Sequence, residues 1–486
     1  MKKAIIIGSG IAGLAASVRL TVKGYRVEVF EKNNYTGGKL TEIISNGFRF
    51  DAGPSLFTLP HQVDELFQLA GENPKEYFNY KRLPIVCNYF YEDGTRLHAY
   101  ADPEKFADEV ALKLNTDKKS VVRYLRKSKF IYDTTYPVFL KQSLHKLGNY
   151  LNFDFVKGVV RLPFLGIFDT IDGANKKWFS DERLVQLFNR YATYNGSDPY
   201  QAPAVLNAIP HLEFNLGAYF PNGGMHEISQ SIYHLAKRKG VLFRLNQEVD
   251  EIIVKDKKAI AVSVGKEIHT ADLIVCNSDI VPAYRKLLKT QKAPEKTLGQ
   301  PRSSSALIFY WGIRGNFPEL DMHNIFFSAD YRAEFYEIFQ NQTISDDPTV
   351  YINITSKLQK SDAPDGCENW FVMINVPGDT GQDWERLKQK AKEAILQKLS
   401  RLLGREISPL IITEEILEPK MIELKTSSFQ GALYGSSSNN RYSAFLRHAN
   451  FTNNIENLYF CGGSVHPGGG IPLCLLSAKI VSDLIH

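Results

Sequence analysis

Gly8, Gly10 and Gly13 form the hexapeptide GSGIAG, directly after the apolar run at residues 4–7 and at the head of a stretch of helical composition, residues 14–22. Three glycines at that spacing leave backbone N–H groups and a helix N-terminus open to a pyrophosphate, whose charge the helix end favours. Glu31 closes the next strand-like run, residues 26–30. A carboxylate there can accept hydrogen bonds from a ribose hydroxyl pair and would repel a 2′-phosphate. Glycines alone could serve tight packing only. Strand, glycines, helix, strand and acid in this order predict a βαβ unit that binds a dinucleotide lacking a 2′-phosphate.

Two further features favour a long cofactor. Lys32 and the turn Gly37, Gly38, Lys39 extend the polar contacts beyond one mononucleotide half. Near the other end, an apolar run at residues 458–461 leads into GGSVHPGGG and then a helical stretch at 472–485, with proline suited to its first turn. That arrangement supplies a second helix N-terminus. An isoalloxazine ring needs donors at its pyrimidine edge, where reduction builds negative charge, and Gly463, Pro472 and Leu473 are the candidates. The alternative is a glycine loop with no ligand.

These turns need elements to hold them. A chain of 486 residues accommodates two to four lobes, and 44% apolar with 23% charged residues excludes disordered, collagen-like and disulfide-scaffold classes. A net charge of +5 is too small over this length to argue for nucleic acid. Five cysteines without a C-x-x-C pair or zinc-spaced histidines predict reduced thiols in a cytoplasmic protein and no metal site. The N-terminal apolar stretch is interrupted by glycines, so it reads as strand and turn, not as a signal peptide. No other run approaches about 18 apolar residues, and any membrane contact should be peripheral. Residues 61–222 read mostly as helices with aromatic faces. Within them, residues 132–168 mix aromatics with Lys141, Lys146, Lys157 and Arg161, a candidate surface for anionic lipid. The plainer alternative has those aromatics filling the helical lobe. Residues 241–277 read as a strand returning to the first sheet plus an antiparallel meander. Residues 286–420 read as a second sheet carrying a helix at 384–403.

The segments GSGIAG, EKNNYTGGK, GFRFDAGPSLFTLP, YFPNGGM and LYFCGGSVHPGGGIP resemble the phytoene desaturase family of carotenoid-modifying flavoproteins, nearly end to end. The stretch CGGSVHPGGGIPLCLLSAK looks closer to the 1-hydroxycarotenoid 3,4-desaturases than to the phytoene desaturases of that family. The resemblance implies an α/β fold: a discontinuous, amine-oxidase-like, Rossmann-type FAD-binding domain, a second mixed-sheet substrate lobe and a helical membrane-facing lobe. The implied partition is 1–75, 223–285 and 421–486 for the FAD domain, 76–222 for the helical lobe and 286–420 for the substrate domain. It also implies non-covalent FAD lined by Gly8, Gly10, Ala12, Gly13, Glu31, Lys32, Gly38, Lys39, Pro54, Ser55, Val249, Gly463, Pro472 and Leu473. Lys39 departs from the family's usual arginine, keeping the charge but losing the planar fork.

The implied reaction removes two hydrogens from adjacent saturated carbons that extend a conjugated chain, with flavin as two-electron acceptor. The implied partners are a long polyene, held by apolar burial in a tunnel rich in Phe, Tyr, Leu and Ile, and the inner face of the cell membrane. With no second GxGxxG site for a nicotinamide, oxygen or a quinone is the expected final acceptor. The catalytic group is left open. His466 could be a base or a ring that orients its loop. Arg447 could stabilise anionic reduced flavin or sit in an ion pair. Glu213, in HLEFN, reads as solvated or paired. A stepwise phytoene desaturase, a non-redox polyene isomerase and a prenyl-lipid escort are the competing readings.

Overall fold

The computed structural model describes residues 1–146, 153–440 and 446–485. Short β-branched runs become Lys3–Ile7 (β1) and Arg26–Phe30 (β2), adjacent parallel strands in register from Lys3 opposite Arg26 to Ile7 opposite Phe30. They sit inside a five-stranded parallel sheet, in the order Leu458–Phe460, Leu273–Cys276, β1, β2, Leu242–Arg244. A parallel sheet must be covered on both faces, which accounts for strands with almost no polar positions. The helix Ile11–Val22 (α1) joins β1 to β2, and Ala12 to Leu20 are buried without exception. A helix apolar all round belongs in a core. Here α1 packs on the sheet and on the C-terminal helix Ile471–Leu484 through Ala15, Val18, Leu475, Ala478 and Val481. At about 1.5–3 kcal/mol per buried Leu or Val, Leu14, Val18 and Leu20 fix the helix and the direction of its N-terminus.

The expected meander is present as Glu251–Lys255, Lys258–Val264 and Glu267–Thr270, antiparallel throughout. The second sheet has seven strands, in the order Ile411–Leu417, Ser305–Arg314, Cys367–Val376, Val350–Asn353, His323–Phe326, Ile85–Phe90, Arg96–Tyr100. Period-2 alternation sorts Ser305–Arg314. Leu307, Phe309 and Trp311 pack under the helix Trp384–Leu403, whereas Ala306, Ile308 and Tyr310 face the hairpin residues Phe48 and Phe50.

Two strands of this sheet correct the helical reading of residues 61–222. Ile85–Phe90 pairs in parallel with His323–Phe326 and antiparallel with Arg96–Tyr100, and Tyr80–Arg82 pairs with Tyr219–Pro221. Runs of five or six apolar and aromatic residues carry no periodicity long enough to distinguish strand from helix, so a distant partner strand decides. Helices follow as Pro103–Leu114, Lys118–Thr135, Ile171–Trp178 and Glu182–Asn189, three of them capped by Asp102, Asp117 and Asp181. Residues 147–152, part of the proposed lipid-facing segment, lie outside the described residues. Among the described residues no helix is long and apolar enough to cross a membrane. All five cysteines are free.

Candidate functional site

The loop between β1 and α1 turns at Gly8, whose φ of +92° is left-handed, and Gly10 takes the N-cap position of α1. Gly13 acts behind this turn: a Cβ there would lie 2.1 Å from the Gly8 carbonyl oxygen, so the third glycine is what lets helix and strand approach. A Cβ at Gly10 would meet Asn277 Nδ2 at 2.9 Å. The open cradle therefore depends on both missing side chains.

Glu31 leaves β2 directly beneath that turn. Its Oε2 accepts from Ser9 N and Ser9 Oγ, both at 2.8 Å, and its Oε1 accepts from Asn33 N and Asn33 Nδ2, both at 2.9 Å. These four bonds fix a buried acceptor where a ribose would meet it. The second helix N-terminus, Gly470 with Ile471 and Pro472, comes from the far end of the chain and opens on the same space. Two helix ends thus direct orphan N–H groups and positive partial charge into one site.

Lys39 supplies the local cation. It is half-buried, and its ammonium donates to the carbonyls of Ala432 at 3.0 Å and Leu433 at 2.9 Å, leaving one of its three donors for a ligand. Burial pushes its pKa down to about 8, against the opposing pull of Asp279.

The cavity these groups share measures about 950 Å³. It runs from the dinucleotide turn to a region between the helical lobe and the seven-stranded sheet, where Ile308, Ile325, Phe371 and Met373 line it. Its size lies at the upper end for small-molecule sites, and its walls combine apolar side chains with charged and polar groups such as Glu31, Lys39, Arg190 and Glu213. Gly8, Gly10, Ala12, Glu31, Lys32, Gly38, Lys39, Pro54, Ser55, Val249, Gly463 and Pro472 line it. Gly13 and Leu473 do not: Gly13 faces the strand, and Leu473 is passed over although its helix neighbours Pro472 and Cys474 line the cavity. The donor set, the glycine cradle and the continuous apolar extension fit FAD with an elongated substrate beside it. Among the described residues no group of three or more His, Cys, Asp or Glu is placed to hold a metal ion.

Neither catalytic candidate borders the cavity. His466 is buried, its Nε2 lies 2.9 Å from the Gln142 carbonyl, and its own carbonyl accepts from Asn450 and Ser477. Burial pushes its pKa down to about 4, so the ring is neutral and orients its loop. Arg447 donates to the carbonyls of Tyr434 and Gly463, at 2.7 and 3.4 Å, and among the described residues it makes no ion pair. Burial first, then Arg302, pulls it down to about 10. It braces the wall that carries Gly463.

Glu213, read from the sequence as solvated or paired, is paired, and it belongs to a buried polar cluster whose other members the sequence reading passed over. Arg190 donates to Tyr89 OH at 2.8 Å and pairs with Glu213 at 3.3 Å, while Glu213 also accepts from Tyr191 at 2.5 Å and from Tyr194. Glu213 is 1% exposed and sits on a π-helical turn, Leu212–Leu216. Burial raises its pKa, with Arg190 opposing. Arg190, Tyr194 and Glu213 all line the cavity.

Glycine turn, acidic strand end and two helix N-termini meeting on one cavity define a dinucleotide-binding flavoprotein oxidoreductase with a separate substrate lobe. The chain belongs to the flavin containing amine oxidoreductase family, whose pattern matches residues 11–486, and its cofactor is FAD. It is 57% identical over 485 residues, covering 100% of this chain and 99% of the relative, to a 1-hydroxycarotenoid 3,4-desaturase of Flavobacterium sp. (strain P99-3). It is 32% identical over 493 residues, 100% and 98% of the two chains, to a 4,4′-diapolycopene oxygenase of Methylomonas sp.. Its fold is similar to the solved cyclohexylamine oxidase of Brevibacterium oxydans IH-35A, with a TM-score of 0.62, 15% identity and coverage of 100% and 99%.

Proposed function

We propose that this protein is an FAD-dependent carotenoid desaturase that introduces the 3,4 double bond into a 1-hydroxycarotenoid. The observation that carries the reading is one continuous cavity, dinucleotide cradle at one end and apolar channel at the other, in a chain with a full-length desaturase relative at 57% identity. When bound, FAD supplies the two-electron acceptor for desaturation. The backbone amides of Gly10 and the N-terminal turn of α1 would hold the pyrophosphate, Glu31 the ribose and Lys39 a positive charge beside it, the N-terminus of the C-terminal helix would face the flavin ring, and Pro54, Ser55, Val249, Gly463 and Pro472 would enclose the rest. The apolar channel strips water from the polyene and fixes which carbons reach the reaction centre, at about 25 cal/mol per Å² buried.

The substrate comes from lipid, and the protein rests on the inner face of the cell membrane through its helical lobe. Phe164 and Phe168 are 61% and 73% exposed, and Val160 is 69% exposed, beside the basic Lys157 and Arg161. Exposed aromatics flanked by cations suit an anionic interface. Oxygen or a quinone takes the electrons onward.

Incubating the purified yellow protein with a 1-hydroxycarotenoid, and separately with phytoene, tests the assignment by mass and absorbance. The reading expects a red-shifted product two hydrogens lighter from the hydroxylated polyene and little from phytoene. The reverse order would make it a phytoene desaturase. An unchanged mass with altered geometry would make it an isomerase, and a colourless protein that binds polyene unchanged would make it an escort.

A further inference from the structure

The apolar half of the cavity contains a group that an unsubstituted polyene would leave unmatched. Arg190 Nε and His323 Nε2 are both buried and have no hydrogen-bond partner among the described residues, and both residues line the cavity. His323 Nδ1 faces Asn353 Nδ2 at 3.2 Å, and that amide nitrogen can only donate, so Nδ1 accepts and the ring proton sits on Nε2. Burial keeps the ring neutral, pushing its pKa down to about 3. Two orphaned donors therefore border a space next to the Glu213 carboxylate, a strong acceptor. Leaving such groups unpaired in a dry site is costly, so the site is built for a ligand oxygen that accepts twice and donates once.

We infer that Arg190, His323 and Glu213 form the subsite for the substrate's hydroxyl group. The inference rests on the desaturase reading above and adds the residues that select the substrate. Connectivity supports the position. Tyr351 OH lies 2.7 Å from His323 Nδ1 and 2.7 Å from Ser55 Oγ, so His323 is linked by hydrogen bonds to the segment that would enclose the cofactor. In a 1-hydroxy polyene the oxygen is separated from C3 and C4 by only three or four bonds of about 1.5 Å, so it lies within about 5 Å of the reacting pair. A hydroxyl site must then adjoin the reaction centre, not the far end of the channel. These are specificity-determining groups: they hold the oxygen and thereby set which carbon–carbon bond is presented.

The test compares binding of two polyenes of equal carbon skeleton, with and without the 1-hydroxyl, to the FAD-loaded protein by quenching of tryptophan fluorescence. Wild type is expected to prefer the hydroxylated polyene by about 10- to 100-fold, the range of a buried hydrogen bond to a charged group. Arg190→Lys keeps the charge opposite Glu213 but removes Nε, and His323→Phe removes the second donor while filling the same space. Each should erase most of that preference, bringing the affinity for the hydroxylated polyene down toward that for the unsubstituted one. Equal affinity of wild type for the two polyenes overturns the inference without any variant, and so does a preference that survives both substitutions. A wild type that prefers the hydroxylated polyene yet never dehydrogenates it would overturn the desaturase reading and leave this subsite standing.

Discussion

Replacing Lys39 by methionine removes a charge that the fold holds at a cost, and the size of that cost follows from its titration. Burial lowers the ammonium pKa from 10.5 to about 8. Below pH 8 the group is charged in both folded and unfolded chains, and the folded apoprotein carries the full penalty. Between pH 8 and 10.5 the unfolded chain holds the extra proton, so stability rises with pH and the penalty is relieved. That lowering corresponds to about 3 kcal/mol. Urea unfolding of flavin-free wild type and Lys39→Met, from pH 7 to 10.5, should give a difference curve that favours the variant at pH 7 and closes by about 3 kcal/mol at high pH. The lost bonds to the Ala432 and Leu433 carbonyls shift that curve by a constant and leave its slope alone. The facing groups are Asp279, Cys474 and Arg302. A pyrophosphate arriving there restores the ammonium, so FAD binding at pH 9 should take up a proton, measurable by calorimetry in two buffers of different ionisation enthalpy. A flat difference curve, with no proton uptake, would refute the placement of a strained cation at this site.

Glu31→Gln replaces a carboxylate that accepts four hydrogen bonds with an amide that must turn two donors toward Asn33 or the ribose. FAD affinity by equilibrium dialysis should fall about 10- to 100-fold. Gly13→Ala places a methyl group 2.1 Å from the Gly8 carbonyl, and thermal denaturation should show about 1–3 kcal/mol of lost stability together with poor flavin retention. Substituting Phe164 and Phe168 by serine should abolish cosedimentation with anionic liposomes while leaving flavin content unchanged; undiminished sedimentation would place the membrane contact elsewhere.

The cofactor half was legible because its chemistry is local. Gly8, Gly10, Gly13 and Glu31 lie within one βαβ unit, so spacing alone predicts that they converge, and Gly38, Lys39, Gly463 and Pro472 carry comparable turn and helix-start signals. Gly13 and Leu473 show the limit of that reading: sequence proximity to a turn does not say which side of the wall a residue occupies. The substrate half was not legible. Arg190 comes from a short helical turn, Glu213 from a π turn, His323 and Tyr351 from paired strands, and no local pattern links them. Their meeting depends on Ile85–Phe90 and Arg96–Tyr100 joining a sheet whose other strands lie hundreds of residues away, where burial and pairing override local composition. Arg447 was misjudged for a related reason. An arginine is expected to seek a carboxylate, but backbone carbonyls of a glycine-rich wall satisfied it instead.

The most direct test of the central claim is anaerobic mixing of the FAD-loaded protein with a 1-hydroxycarotenoid while the oxidised-flavin absorbance is followed. The account predicts that this absorbance disappears in step with the appearance of a longer-wavelength polyene two hydrogens lighter, one flavin per double bond. A flavin that stays oxidised beside a bound, unaltered polyene would contradict it.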